Sequence, residues 1–314
     1  MRKRNLLLAG LITVIITGIS SCIKKSKFSF EENPEGIKLS EAGDPVFIYQ
    51  RKPKSANGQY TFNNYLHPVY NLLGEIITEE FPPDHLHQRG IYWAWHQIYL
   101  DNQNLGDGWM MEKISFDVTE VRKKINSKSA RLDITINWKS TLLPGGKPFV
   151  EEETSILVYK KDTNIRKIDF EIILRPLMPG IQIGGSDDEK GYGGFCIRLK
   201  MPEDLIFTSE TGSVTPQNLQ INSGPWMDFS AVFGSSGEKT GVAILCHPSN
   251  PGHPEPWILR QKESMQNVVF PGRKKTNLDN PLILSYRVVI HDGDASEVNL
   301  SGLQEEYNKM YKGK

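Results

Sequence analysis

Fifteen residues, PPDHLHQRGIYWAWH at positions 82–96, hold three of the chain's seven histidines together with Asp84, Arg89, Trp93 and Trp95. If residues 85–89 are extended, His85, His87 and Arg89 point the same way, because successive side chains alternate across a strand. Two imidazoles and a guanidinium facing one space suit a polyhydroxylated or anionic ligand, with a histidine moving a proton near neutral pH. His85 or His87 is then the acid or base, and Arg89 holds a ring oxygen or a carboxylate. His-x-His with Asp84 alongside also suits a divalent metal, which needs a further ligand from elsewhere; His247 is the candidate. Parity puts Trp93 and Trp95 on one face of the next strand and His96 on the other. Two tryptophans on one face are either core or a platform for a sugar ring.

Two further stretches carry chemistry-bearing side chains. In GVAILCHPSNPGHPEPWILRQ, residues 241–261, a buried strand ends at Cys246 and His247 opens a proline-rich loop with His253, Trp257 and Arg260. Loops at strand ends are held by the scaffold yet exposed, so His247 is expected as an opposing base or ligand contact and Trp257 as a stacking ring. GGSDDEKGYGGFCIRL, residues 184–199, reads either as a flap before a strand, with Asp187, Lys190 and Tyr192 as ligand contacts, or as a solvated loop. Its glycines lack the Gly-Lys-Ser/Thr of a phosphate loop and the helix of a dinucleotide fingerprint. No Gly-x-Ser-x-Gly elbow supports a serine hydrolase.

The elements that must position these residues are strands. Leu132, Ile134, Ile136 and Trp138 alternate with polar neighbours, as do Ile168, Phe170, Ile172 and Leu174, and Leu282, Leu284, Tyr286, Val288 and Ile290. Each such segment has one face in a core. GLQEEYNKMY near the end has helical spacing. Many strands, long turn-rich loops and one terminal helix predict an all-β fold, a large antiparallel sandwich with a short C-terminal helix.

The first residues, MRKRNLLLAGLITVIITGISSC, read as an export signal over 1–21 ending in a lipobox, with Cys22 the residue to be acylated. Residues 22–40 are then a lipid-attached tether and 41–314 a single sandwich domain. The apolar run from Leu6 to Ile19 is short for a membrane span, which takes about 20 residues. Thirty-seven basic residues balance 37 acidic ones; losing Arg2, Lys3 and Arg4 with the signal leaves 34 against 37, a net of −3. No basic excess exists to hold phosphates, so nucleic acid is not an expected partner. Cys196 and Cys246 are either a disulfide or two buried thiols, and no Cys-x-x-Cys metal spacing is present.

Four ordered motifs carry a resemblance: DHLHQRGIYWAW (84–95), KGYGGFCIRL (190–199), HPSNPGHPEPW (247–257) and YRVVIHDG (286–293). With them the chain resembles the bacterial family labelled "methane oxygenase PmoA-like", a domain of unknown function, across most of its length. Leu86 stands where that pattern has proline and Gln88 where it has a third histidine, while His85, His87 and Arg89 are kept. Methane oxidation is not expected, because the membrane subunit behind the label is built of transmembrane helices and this chain alternates like a sheet protein. More loosely, the expected sandwich is similar to the galactose-mutarotase-like fold. That likeness implies histidines, a carboxylate and an arginine on a concave β face, working on sugars as acid–base pairs.

The resulting expectation is a lipid-anchored, periplasm-facing carbohydrate-active protein, epimerase- or lyase-like, with no cofactor. His85, His87, Arg89 and His247 are its catalytic set. Asp84, Trp93, Trp95, Lys190, Tyr192, His253, Trp257 and Arg260 are its substrate contacts. Two alternatives stand beside it: a metal-dependent enzyme using His85, His87 and His247, and a non-catalytic glycan-binding lipoprotein.

Overall fold

A computed structural model describes residues 28–34 and 36–310. In Ser129–Ser140 the residues Leu132, Ile134, Ile136 and Trp138 are buried, while Arg131, Thr135, Asn137 and Lys139 look outward. The same alternation in its neighbours assembles a nine-stranded antiparallel sheet. Its order is Ile114–Ile125, Ser129–Ser140, Pro148–Tyr159, Ile165–Pro176, Leu282–Asp292, Thr240–Cys246, Trp226–Ala231, Ile206–Ser209 and Gly212–Ser213. An eight-stranded sheet faces it, in the order Phe28–Glu32, Ile37–Glu41, Asp44–Gln50, Tyr65–Val69, Ile91–Trp95, Gly193–Ile197, Gln266–Val269 and Trp257–Ile258.

Aromatic rings join the two inner faces. Trp95 meets Trp138 at 5.7 Å between ring centroids, Trp93 meets Phe170 at 6.3 Å, and Phe195 stacks on Tyr286 at 4.5 Å. Each fully buried large side chain of this kind contributes about 1.5–3 kcal/mol relative to exposure. The expected sandwich is therefore the observed one. Among the described residues the single α-helix, Leu300–Asn308, is capped by the Asn299 side chain, which accepts from the Gly302 N–H at 2.9 Å. It packs Leu300 and Tyr307 onto Trp226, Leu245 and Val289, on the outer face of the nine-stranded sheet.

Two smaller pieces lie outside the main sheets. One is a hairpin, Lys54–Ala56 with Gln59–Phe62, and the other a four-stranded patch containing Gln97–Leu100 and Ile181–Gly184.

One expectation is corrected here and one open alternative is decided. Within the tether expected over 22–40, Phe28–Glu32 and the stretch from Ile37 are strand, because Phe28, Ile37 and Leu39 are buried in the inter-sheet core. Cys196 and Cys246 are free thiols. They do not pair because Cys246 points between the sheets and Cys196 onto the outer face of the eight-stranded one. The signal sequence and the acylation at Cys22 fall outside the described residues. No described helix is long and apolar enough to cross a membrane.

Candidate functional site

Parity in Ile91–Trp95 decides where the chemistry sits. Trp93 and Trp95 enter the core, so Tyr92 and Ala94 emerge on the outer face of the eight-stranded sheet. His96 continues their phase. Its Nδ1 lies 2.8 Å from an Asp107 carboxylate oxygen, and its ring stacks on Trp109 at 4.9 Å. The other Asp107 oxygen accepts the backbone N–H groups of Trp109 and Met110 at 2.8 and 2.9 Å. One carboxylate thus holds both the imidazole and the turn beneath its aromatic partner. Trp109 meets Tyr92 edge-on at 5.5 Å and Tyr192 at 6.0 Å. Tyr192 in turn accepts a hydrogen bond from Arg260, whose guanidinium also lies over its ring.

The segment after the double proline lies beside this group, His96 and Asp107 acting electrostatically on His87. Residues 85–89 are not extended: His85 N–H bonds to the Pro82 carbonyl and Gln88 N–H to the His85 carbonyl, two successive turns. Asp84 anchors them through both oxygens to Arg198, at 2.8 Å each, and through the Ser264 N–H at 3.0 Å. Gln88 is tied in as well, accepting from Arg198 and donating to the Ser264 hydroxyl. Asp84 also accepts from His85 Nδ1 at 2.9 Å. Burial opposes its charge, but the His85 and Arg198 hydrogen bonds prevail and hold its carboxyl at about 2. The turns still bring the His85 and His87 rings to 5.5 Å, edge to face, with Tyr60 of the hairpin 6.0 Å from His87. Burial, with the nearby His85, Arg89 and His96, pushes His87 down to about 4.

Arg89 departs from its expected role. It is 1% exposed, and its guanidinium lies 3.7 Å from the Phe62 ring centroid and 4.4 Å from that of Tyr92, with Nη1 on the His87 carbonyl at 3.1 Å. It is enclosed by rings rather than presented beside the His85 and His87 rings. Gly90 must follow it: φ is +32° there, and a Cβ would fall 1.8 Å from the Leu66 carbonyl oxygen.

Other expected residues lie elsewhere. His247 is buried, its Nδ1 2.7 Å from the Ser249 hydroxyl and its ring 5.1 Å from Tyr307 of the helix. That places it on the outer face of the nine-stranded sheet, with the whole inter-sheet core between it and the 85–89 turns. The expected convergence of His247 with His85 and His87, catalytic or metal-ligating, is therefore overturned. His253, in the same loop, points Nδ1 at Glu255, 3.5 Å away, and does not join the His85, His87 and His96 cluster. Trp93 donates its indole N–H to Glu152, Trp95 to the Phe270 carbonyl and Trp257 to the Gly224 carbonyl, and all three are buried, so none offers a ring to a sugar. Lys190 and Asp187 belong to the loop leading to Tyr192, where Asp187 pairs with Arg273 and the Lys190 carbonyl accepts from Gln220. Among the described residues no group of three or more His, Cys, Asp or Glu is arranged to hold a metal.

The residues the sequence reading passed over are Tyr60, Tyr92, Asp107 and Trp109, with His96 placed by parity but given no role. Parity alone assigns Tyr92 and His96 to one face; nothing local marks Asp107-Gly-Trp109 as its partner.

No curated protein matches the chain. Among solved structures, a mutant of heparan sulfate lyase HepC from Pedobacter heparinus is similar at a TM-score of 0.38 and 10% identity, covering 86% of this chain and 36% of that one. The chain thus spans about a third of that protein's length. The resemblance to the PmoA-like family is corrected by the family model that does match, which carries no oxygenase description. Residues 36–304 match the model of the family of unknown function DUF6807, and the chain belongs to that family.

Proposed function

We propose that this chain is an exported, lipid-anchored protein of the cell envelope, held on the periplasmic side through Cys22, whose outer-face trough performs acid–base chemistry on a sugar or glycoside. The reaction class is ring-opening epimerisation at the anomeric carbon, or elimination next to a carbonyl. One observation carries the reading: two imidazoles, His85 and His96, each rest Nδ1 on a carboxylate, and a third, His87, lies within electrostatic reach of both. A carboxylate that only accepts fixes the proton on Nδ1 and leaves the Nε2 lone pair for the ligand, while stabilising the imidazolium once formed. His87, held neutral, can accept a proton, and a buttressed imidazolium can return one from another direction. These steps call on side chains alone, with no metal or cofactor.

A second reading, glycan recognition without turnover, is favoured by the half-buried Tyr60 and Tyr192 rings, beside His87 and Trp109 respectively. One experiment separates them. The protein is incubated with mono- and oligosaccharides, following anomeric exchange by NMR and new conjugated double bonds by ultraviolet absorbance. The catalytic reading expects product, with turnover falling roughly a hundredfold or more in His87→Gln and in His96→Gln while the fold persists. Binding without product selects the second reading, and turnover untouched in both variants removes the trough from the reaction.

A further inference from the structure

Four arginines are buried among the described residues: Arg89, Arg166, Arg198 and Arg287. Three have carboxylate partners. Arg166 pairs with Glu41 at 2.9 Å, Arg198 with Asp84 and Glu79 at 2.8 Å, and Arg287 with Asp169 at 2.6 Å. Arg89 has none. A buried guanidinium without a counter-charge is costly, and aromatic faces with one carbonyl offset that only in part. Its Nε finds no hydrogen-bond partner; the Tyr92 ring lies against the same guanidinium, and its hydroxyl has only the Cys196 thiol, a weak acceptor, beside it. Nε is a buried donor with no acceptor, and the hydroxyl a donor offered only a thiol. Phe62 and Tyr92 occupy the guanidinium's faces, so a ligand can meet it only at its edge, the approach that suits a flat or tripodal oxyanion. Arg260, against Tyr192, spends its donors on the Gln217 and Asn218 carbonyls and the Tyr192 hydroxyl, again with no carboxylate.

We infer that the trough takes an anionic sugar, one bearing a carboxylate or a sulfate ester, and that this group settles against Arg89 and Tyr92. The sugar part rests on the carbohydrate reading above; the anion part rests on Arg89 and Tyr92 alone. Entry requires Phe62 to lift. The hairpin that carries Phe62 pairs only with itself, so its movement breaks no ladder in either large sheet.

The test has two layers. Thermal melts in sodium acetate and in sodium sulfate, each against sodium chloride at matched ionic strength, report an anion site without reference to sugars. The readout is the part of the stabilisation that Arg89→Met or Tyr92→Phe loses, because sulfate also stabilises folded proteins in general by exclusion from their surface. Calorimetric titrations with a glucuronate oligosaccharide, a sulfated neutral oligosaccharide and the neutral parent then report the ligand. Stabilisation by acetate or sulfate, with charged oligosaccharides bound more tightly than the parent, is expected. Affinity should drop about ten- to a hundredfold in Arg89→Met, as for loss of a charge-assisted hydrogen bond, and less in Tyr92→Phe. Preference among the probes tells carboxylate from sulfate. Anion stabilisation that depends on Arg89 without binding of any oligosaccharide keeps the anion niche and sinks the carbohydrate reading. Should Arg89→Met fail to fold, Tyr92→Phe, which keeps ring and charge, decides by the same readouts. Equal binding of charged and neutral probes, or anion effects unchanged in the variant that folds, overturns the inference.

Discussion

Glu152 shows how a single side chain can organise a core that the alternation only outlines. Fully buried between the sheets, it accepts from Asn64 Nδ2, Trp93 Nε1 and the Thr154 hydroxyl on one oxygen and from Trp138 Nε1 on the other. Burial raises its pKa above the usual carboxylate value, against the pull of these donors. The network explains why Trp93 is committed to the core: its one polar atom has its acceptor there. Replacing Glu152 by Met strands two buried indole N–H groups, and at about 1–3 kcal/mol for each unsatisfied donor the loss is about 2–6 kcal/mol. Urea unfolding measures it; a loss well under 1 kcal/mol would mean the indoles find other acceptors, and Glu152 would not be their organiser. Glu152 was legible in principle. Within FVEEETSI it shares the phase of Val150, Thr154 and Ile156, yet three consecutive glutamates read as a solvated run.

Elements differ in how much of themselves they announce. Strands such as Ser129–Ser140 and Ile165–Pro176 carry their buried face as a local period, so their existence and orientation follow from the residues alone. The 82–89 segment does not, because its geometry comes from Arg198 and Ser264, more than a hundred residues away, reaching back to Asp84. Parity applied there gave the right neighbours, His85 and His87, for the wrong reason, and misplaced Arg89. His247 failed differently: it ends a strand of the other sheet, and which sheet a strand joins is a matter of long-range pairing. The terminal helix was legible from spacing, but not its role as the cover over His247. That role yields a prediction. Asn299→Ala removes the cap and costs about 1 kcal/mol, read as a lower urea midpoint. Ligand affinity in the trough should stay unchanged, because the helix lies on the far side of the sandwich. A matching loss of affinity would contradict the separation of the two faces.

Taken whole, the sandwich holds histidines of opposite electrostatic sense, and its stability should bend with pH on both sides. His87 in the trough and His67 behind it are both held near 4, chiefly by burial, against an ordinary value of 6.5. Between pH 6.5 and 4 the unfolded chain binds protons that the folded one refuses, so stability falls as pH falls through this window and their contribution is complete only above 6.5. His291 acts the other way. Burial works against its charge, but the Asp228 carboxylate at 2.9 Å outweighs it and raises the pKa. Its contribution is whole below 6.5 and is lost as pH rises through the raised value. Urea midpoints measured from pH 4 to 9 should therefore decline as pH falls below 6.5 and again as it rises from 6.5 through the raised His291 value. The double variant His67→Gln, His87→Gln should flatten the acid decline relative to the parent. Glu152, which acts in the opposite sense above 4.5, is common to both proteins and cancels from that difference. Asp228→Asn should flatten the alkaline decline and leave the acid side in place. If the double variant keeps the parent's acid slope, the two histidines are not its source, and the neutral His87 on which the trough's chemistry depends loses its independent support.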